Sequence, residues 1–515
     1  MNSLKEKGRI YLPLFVGCML FAFIVYFLLI SQGLVNSDDG LWEYNYYKAG
    51  KWSLSLGRWF WLYLDRLRFG VHTEPITSLI SLVCYSAGLI VMLDLFVCDP
   101  TRKTTWLACA LLLSSVSVCI TLTYRFMSPT FGLSFLLAIT AVWVIIKMKK
   151  TWLAILGGGT LISLSVGLYQ SNIGCACVVL VGYLLICLRD KTIPLRKVLT
   201  DILRGLGGVL VGGIMYVLIL NVHLRVFHVA LSDYNGANTY SLGNAVQNII
   251  FNLTYTYRIF CRYYFENYFK LNVLQNMRIY WLVCLVVLVF FMKELWHIFK
   301  VSKVRAMLFA ILTALIPVAC NAVLMITTGV WVSLQMTVPL ALCIPVLVCV
   351  GSKSECVGRV WPWVRRMSIL VLLLVLYGNF YQLQIDQEAM RGGKVSTTAL
   401  AEMILDELVD TGNLDPDAQY CVLGSAGGSE IYEFTKITEQ ANSYALFGYW
   451  NRDFSCMRRS WQGVFSYLCG VHLDICSVSD YGWISQEKAV QDMPVFPQEG
   501  SIIRIGDIVV VKVSE

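Results

Sequence analysis

The stretch IYLPLFVGCMLFAFIVYFLLI, residues 10–30, runs without a charged side chain and is followed within a few residues by the acidic pair Asp38–Asp39. At about 1.5 Å of rise per residue, a helix of this length covers about 30 Å, the thickness of a bilayer's hydrocarbon core. Lipid offers no partner for exposed backbone groups, so such a run reads as a membrane helix. The preceding MNSLKEKGR is basic, as in a signal peptide, but no small-residue cleavage site follows the run. The expectation is an uncleaved first span that keeps the acidic pair attached to the membrane domain.

Similar runs recur. Eleven spans are expected at about 11–30, 75–97, 105–123, 129–146, 151–168, 172–188, 205–222, 279–293, 306–321, 330–350 and 367–382. The 279–293 run is short, and Pro317 and Asn321 interrupt the end of 306–321. The composition agrees: 57% of the 515 residues are hydrophobic, 14% are charged, and mean hydropathy is +0.64. This is an α-helical polytopic membrane protein in a lipid bilayer. The net charge of +8 does not point to nucleic acid, because the basic residues sit in short clusters between apolar runs. The eighteen cysteines are scattered mostly through hydrophobic segments, with no paired metal-ligand spacing.

The connecting segments alternate in charge. Lys5/Lys7/Arg9, Arg102/Lys103, Lys147/Lys149/Lys150, Arg189/Lys191/Arg196/Lys197, Lys300/Lys303/Arg305 and Arg359/Arg365/Arg366 belong to one set. Segments 31–74, 124–128, 169–171, 223–278 and 322–329 belong to the other. The positive-inside rule puts the basic set in the cytoplasm, with the N-terminus, and the other set outside, with the C-terminus. The cytoplasmic loops are too short for a catalytic domain, so the active face is expected to be the outer one.

Residues 386–515 form a second kind of sequence. STTALAEMILDELVDTG reads as a helix that Ser396 or Thr397 could cap, ending near Gly412. YCVLGSAGG reads as a strand into a turn, and SIIRIGDIVVVKVS as a hairpin or two short strands. A small extracytoplasmic α/β or α+β domain is expected there, after a membrane domain over 1–385. Cys421, Cys456, Cys469 and Cys476 fall in this region, where one disulfide is permitted.

The outer loops carry the candidate chemistry. Asp38 and Asp39 could simply be solvated or cap a short helix. Beside low dielectric and each other, one could instead hold a raised proton affinity and accept a proton from a sugar hydroxyl. Departure of a sugar phosphate builds charge that arginine's rigid fork fits. Outward arginines are Arg58, Arg66, Arg68, Arg125, Arg258 and Arg262. Arg125, in the short turn TYRFMSP, could meet a donor phosphate, form a structural ion pair, or snorkel to the interface. Tyr169, Gln170 and Asn172 in LYQSN could line a sugar cavity or satisfy helix ends. His72 could donate a hydrogen bond or be an interfacial structural residue. His223 and His228 are not spaced as metal ligands, and the aromatic, basic stretch YTYRIFCRYYFENYFK could lie flat at the interface.

NSDDGLWEYNYYKAGKWSLSLGRWFW, with Asp38–Asp39 and Gly57–Arg58–Trp59, the YRFMSP turn and LYQSN, resembles the bacterial glucosyl transferase family associated with serotype conversion, over residues 10–385. That resemblance implies a GT-C glycosyltransferase that moves a hexose, glucose in this family, from a polyprenyl-phosphate (undecaprenyl-phosphate) donor to a cell-surface glycan on the outer side of the bacterial cytoplasmic membrane. It implies Asp38 or Asp39 as base and Arg58 and Arg125 at the donor phosphate, with Arg258 and Arg262 as further phosphate candidates. Trp42, Glu43, Trp59, His72, Tyr169 and Gln170 are the substrate-binding candidates. The family's loop often has a basic residue soon after the acid pair; here Trp42 and Glu43 stand instead. Direct attack would invert the anomeric centre. No metal ligand set is assigned, and a divalent ion is left open. A donor synthase and a flippase would act in the same pathway. The rival readings are a lipid-linked oligosaccharide transporter and an outer-side glycan polymerase. Mostly apolar span interiors argue against a transporter.

Overall fold

The computed structural model describes residues 2–37, 46–232, 242–326, 330–354, 360–432, 435–450 and 453–515. Among them, nine helices are long and apolar enough to cross a bilayer. A tenth crossing comes from Lys103–Leu113 and Val116–Thr123, bent by 46° at Ser114–Ser115. A break inside lipid needs substitute hydrogen bonds. Here the Tyr26 hydroxyl donates to the Leu113 carbonyl at 2.7 Å, and the Ser115 side chain accepts from Val118 N–H.

The eleventh expected span differs. Residues 306–321 form two shorter helices, Lys303–Ala314 and Ile316–Cys320, parted just before Pro317. Neither alone could span, since twelve residues rise only about 18 Å. The path still joins opposite ends of the bundle. Arg305 donates to the carbonyls of Leu188, Asp190 and Ile193 at the basic end, whereas Asn321 and Met325 bond Thr256 and Asn252 at the other.

The first helix is also interrupted. It runs Asn2–Val25 and resumes at Phe27–Gln32, with Tyr26 between. Gln387 bridges the gap: its amide donates to Val25 O at 3.0 Å and its oxygen accepts from Leu29 N at 3.0 Å. Elsewhere glycine permits close crossings. A methyl group on Gly212 would lie 2.9 Å from the Gly159 carbonyl, so helices Thr151–Leu168 and Leu195–Val226 meet almost backbone to backbone.

The last span does not stop at the membrane. Trp361–Asp410 is one helix of 50 residues, about 75 Å long, and the expected boundary near residue 385 falls within it. Ser396 and Thr397 are therefore interior rather than capping. Gly412, at φ +68°, follows the helix end, where a left-handed residue is favoured. Leu400, Ala401, Ile404 and Leu408 pack against a four-stranded sheet of order β2-β1-β4-β3, with β1 Gln419–Leu423, β2 Asp474–Ile475, β3 Ile502–Ile505 and β4 Ile508–Lys512. The expected terminal hairpin is β3–β4, and β1 pairs parallel with both β2 and β4. Cys421 and Cys476 each follow directly on the last residues paired between β1 and β2, Tyr420 and Ile475, and both thiols are free.

This domain sits at the end of the bundle where the first helix emerges. Ser37 N donates to Tyr444 O at 2.9 Å, and Val35 joins the domain's core. Asp386 ties the long helix to the same segment, accepting from Asn442 N, Asn442 Nδ2 and Tyr444 Oη at 2.9, 2.9 and 2.8 Å. Segments 46–75, 124–128 and 169–172 lie at this end too, forming one layer over the helices.

Candidate functional site

Segment 46–75 is organised around an acid that sequence reading passed over. Asp65, on the short helix Trp61–Leu67, is fully buried yet accepts from Ala49 N at 2.7 Å, Trp61 Nε1 at 3.0 Å and Arg68 Nε at 2.7 Å. Burial pushes its carboxyl up, and the Arg68 charge with these donors opposes the rise. Arg68 also donates to the Phe126 carbonyl, so one ion pair fastens the segment to the YRFM turn. Beneath it Tyr47, Trp61, Phe126, Met127, Phe131 and Tyr169 form a compact aromatic cluster.

Gly57 sets Arg58. Its φ of +79° is one that glycine adopts freely, and a β-carbon there would meet Tyr216 Oη at 2.4 Å and Gln170 Nε2 at 2.9 Å. The turn directs Arg58 onto Tyr169, with the guanidinium carbon 5.3 Å from the ring centroid, and onto Met127 Sδ at 3.3 Å. Arg58 Nε is buried without an acceptor among the described residues. Gln170 donates to the Leu56 carbonyl at 2.6 Å, holding the turn. Trp59 is buried against Gly167 and lies beside Phe60 and His223. The structure thus brings Gly57–Arg58–Trp59, YRFM and LYQSN together.

Arg125, only 5% exposed, leaves the same turn in another direction. It donates to the His72 carbonyl at 3.3 Å. His72 is also buried, and burial together with the Arg68 and Arg125 charges pushes its pKa down to about 3. It is a neutral imidazole packed near Phe126.

Beside Arg125 opens a cleft of about 580 Å³. One wall is the C-terminal end of the first helix, with Phe23, Phe27 and Ile30 and then Ser31, Gln32 and Gly33; the other is Thr73, Glu74 and Pro75. Phe27 is 56% exposed on the side of the bundle, so the cleft opens laterally as well as towards its end. A buried guanidinium beside an apolar groove suits an anionic headgroup on a hydrocarbon chain. Glu74 is the second acid that sequence reading missed. Burial raises its carboxyl, with Ser78 and the Arg125 charge opposing.

Four candidates, Asp38, Asp39, Trp42 and Glu43, lie outside the described residues; the chain is described as far as Ser37, four residues beyond Gly33 of the cleft. Arg258 and Arg262 do not join the cluster. Arg258 is exposed on the helix Ile249–Phe265, and Arg262 pairs with Glu266 at 3.7 Å and covers Tyr268. Arg66 lies over Tyr63. Among the described residues, no three His, Cys, Asp or Glu side chains gather to hold a metal ion.

The model of a family described as glucosyl transferase GtrII matches residues 27–350, more than half of the chain. The match takes in the acidic pair, both arginines and the LYQSN turn, and it ends before the long helix Trp361–Asp410. No curated protein and no solved structure matches the chain.

Proposed function

We propose, because this chain belongs to the glucosyl transferase GtrII family, that it transfers a hexose, glucose by family, from a polyprenyl-phosphate donor to a cell-surface glycan. A polytopic membrane glycosyltransferase follows from the family and the spanning helices; the donor, the acceptor and the residue roles are our reading. The supporting observation is Arg125, buried at the polar end of a laterally open cleft whose first-helix wall is followed in sequence by Asp38. The hydrocarbon lies along Phe23 and Phe27 and the phosphate meets Arg125. Arg58 lends further positive charge nearby.

In this reading the acceptor hydroxyl oxygen bonds to the anomeric carbon as the bond from that carbon to the phosphate oxygen breaks. The hydroxyl proton passes to Asp38 or Asp39, and the electron pair leaves with polyprenyl phosphate, whose growing charge the guanidinium groups stabilise. A single displacement inverts the anomeric centre. The basic loops face the cytoplasm, which puts this layer and the sheet domain outside.

Individual Asp38→Asn and Asp39→Asn variants test the reading in purified protein with a polyprenyl-phosphate-glucose donor. At least one should bind the donor and lose transfer. Normal transfer by both would exclude the acid pair as base.

A further inference from the structure

We infer that Glu74 binds the sugar of the lipid-linked donor, making it a specificity residue of the cleft; this rests on the proposed transfer from such a donor. An ionised carboxylate only accepts hydrogen bonds. In Glu74 one oxygen, Oε2, accepts from Ser78 N at 3.3 Å. The other, Oε1, is buried without a partner among the described residues. A buried acceptor left unmet is destabilising, so a ligand that supplies a donor there is favoured.

The neighbours define that ligand. Glu74 lines the cleft together with Arg125, while Phe23, Phe27 and Ile30 supply its apolar wall. A carboxylate this close to the guanidinium would repel a bare phosphate. It is suited to a headgroup that carries both an anion for Arg125 and neutral hydroxyls beside it. A sugar esterified to a lipid phosphate has these parts in this order. Ser31, Gln32 and Thr73 add polar groups at the rim. The acidic pair, next in sequence after Ser37, is assigned to the acceptor hydroxyl, so Glu74 and the pair serve different partners.

The test compares two lipids on the full chain in nanodiscs: a short-chain polyprenyl-phosphate glucose, and the same polyprenyl phosphate without sugar. Wild type should prefer the sugar-bearing lipid. Glu74→Ala should weaken that lipid about tenfold and leave the bare phosphate as tight or tighter. Glu74→Gln, nearly isosteric, should lie between and decides the matter if the alanine variant does not fold. Equal weakening of both lipids, or of neither, overturns the assignment and shows a structural role or none. Equal competition by phosphatidylglycerol overturns it too, since the cleft would then be a general lipid site. A wild type that transfers the sugar yet binds the two lipids equally would remove Glu74 alone. Absence of transfer from any polyprenyl-phosphate sugar would remove the proposed function itself.

Discussion

Asp65 and Arg68 form the ion pair that closes the outer layer, with 2.7 Å between Asp65 Oδ1 and the guanidinium and the acid fully buried. The same guanidinium reaches the Phe126 carbonyl, so the pair joins two segments 58 residues apart in sequence. Removing one partner leaves the other charge without compensation in a poorly solvated place. Asp65→Asn should therefore cost about 3 kcal/mol of stability, the low end of the range for broken buried pairs because Arg68 keeps some exposure. Thermal unfolding in detergent would register this, and an unchanged melting temperature would rule out the fastening role.

Gly57→Ala tests the turn that presents Arg58. A left-handed conformation costs a residue with a β-carbon about 1–2 kcal/mol, and here that carbon would also press on Tyr216 and Gln170. Loss of donor affinity should exceed loss of stability, because the strain moves Arg58 off Tyr169. A variant with wild-type KM for the donor would mean that Arg58 does not depend on this turn.

Arg125→Lys keeps the charge and discards the planar fork. If the guanidinium holds a phosphate, kcat/KM should fall at least about tenfold, equivalent to about 1.4 kcal/mol. Arg125→Lys acting as wild type would indicate a charge-only or purely structural contribution.

His72 gives a pH signature. Its folded pKa is lowered from 6.5 to about 3, so between those values the unfolded chain binds the extra proton and stability rises with pH. The raised carboxyls of Asp65 and Glu74 act with the opposite sign: the folded state holds their proton longer, and stability falls as pH climbs above their ordinary values. The difference between wild type and His72→Gln isolates the imidazole. Wild type should lose melting temperature faster from pH 6.5 to 4, and parallel curves would contradict a buried neutral ring.

Orientation can be read from reporters active only outside the cytoplasm. A fusion at the C-terminus should be active and one after Lys150 silent. The reverse pattern would put the cleft in the cytoplasm and exclude an outer-side donor.

The spans were legible because apolar length is a property of contiguous residues. Ten appear where the runs predict, and the eleventh departs where Pro317 interrupts it. The grouping of Gly57–Arg58–Trp59 with YRFM and LYQSN was legible only through the family resemblance, since nothing local in those motifs reports their contact. Asp65 was hidden among aromatic residues in WLYLDRLRFG, where an isolated acid looks solvated; its burial depends on three donors brought by folding. Gln170, read as lining a sugar cavity or satisfying a helix end, donates to the Leu56 carbonyl, a contact between segments that no local pattern in LYQSN reports. The fusion of the last span to the tail helix escaped notice because QLQIDQEAMRGGK lost the apolar signal while keeping helix-forming residues.

The rod from Trp361 to Asp410 has a mechanical meaning. Gln384 and Gln387 grip the first helix at Val25 and Leu29, while Leu400 to Leu408 carry the sheet, and there is no joint between these grips. The head therefore does not hang on a tether. It is a fixed visor beside the groove, and any push on the groove's Phe27 wall would tilt visor and rod as one lever.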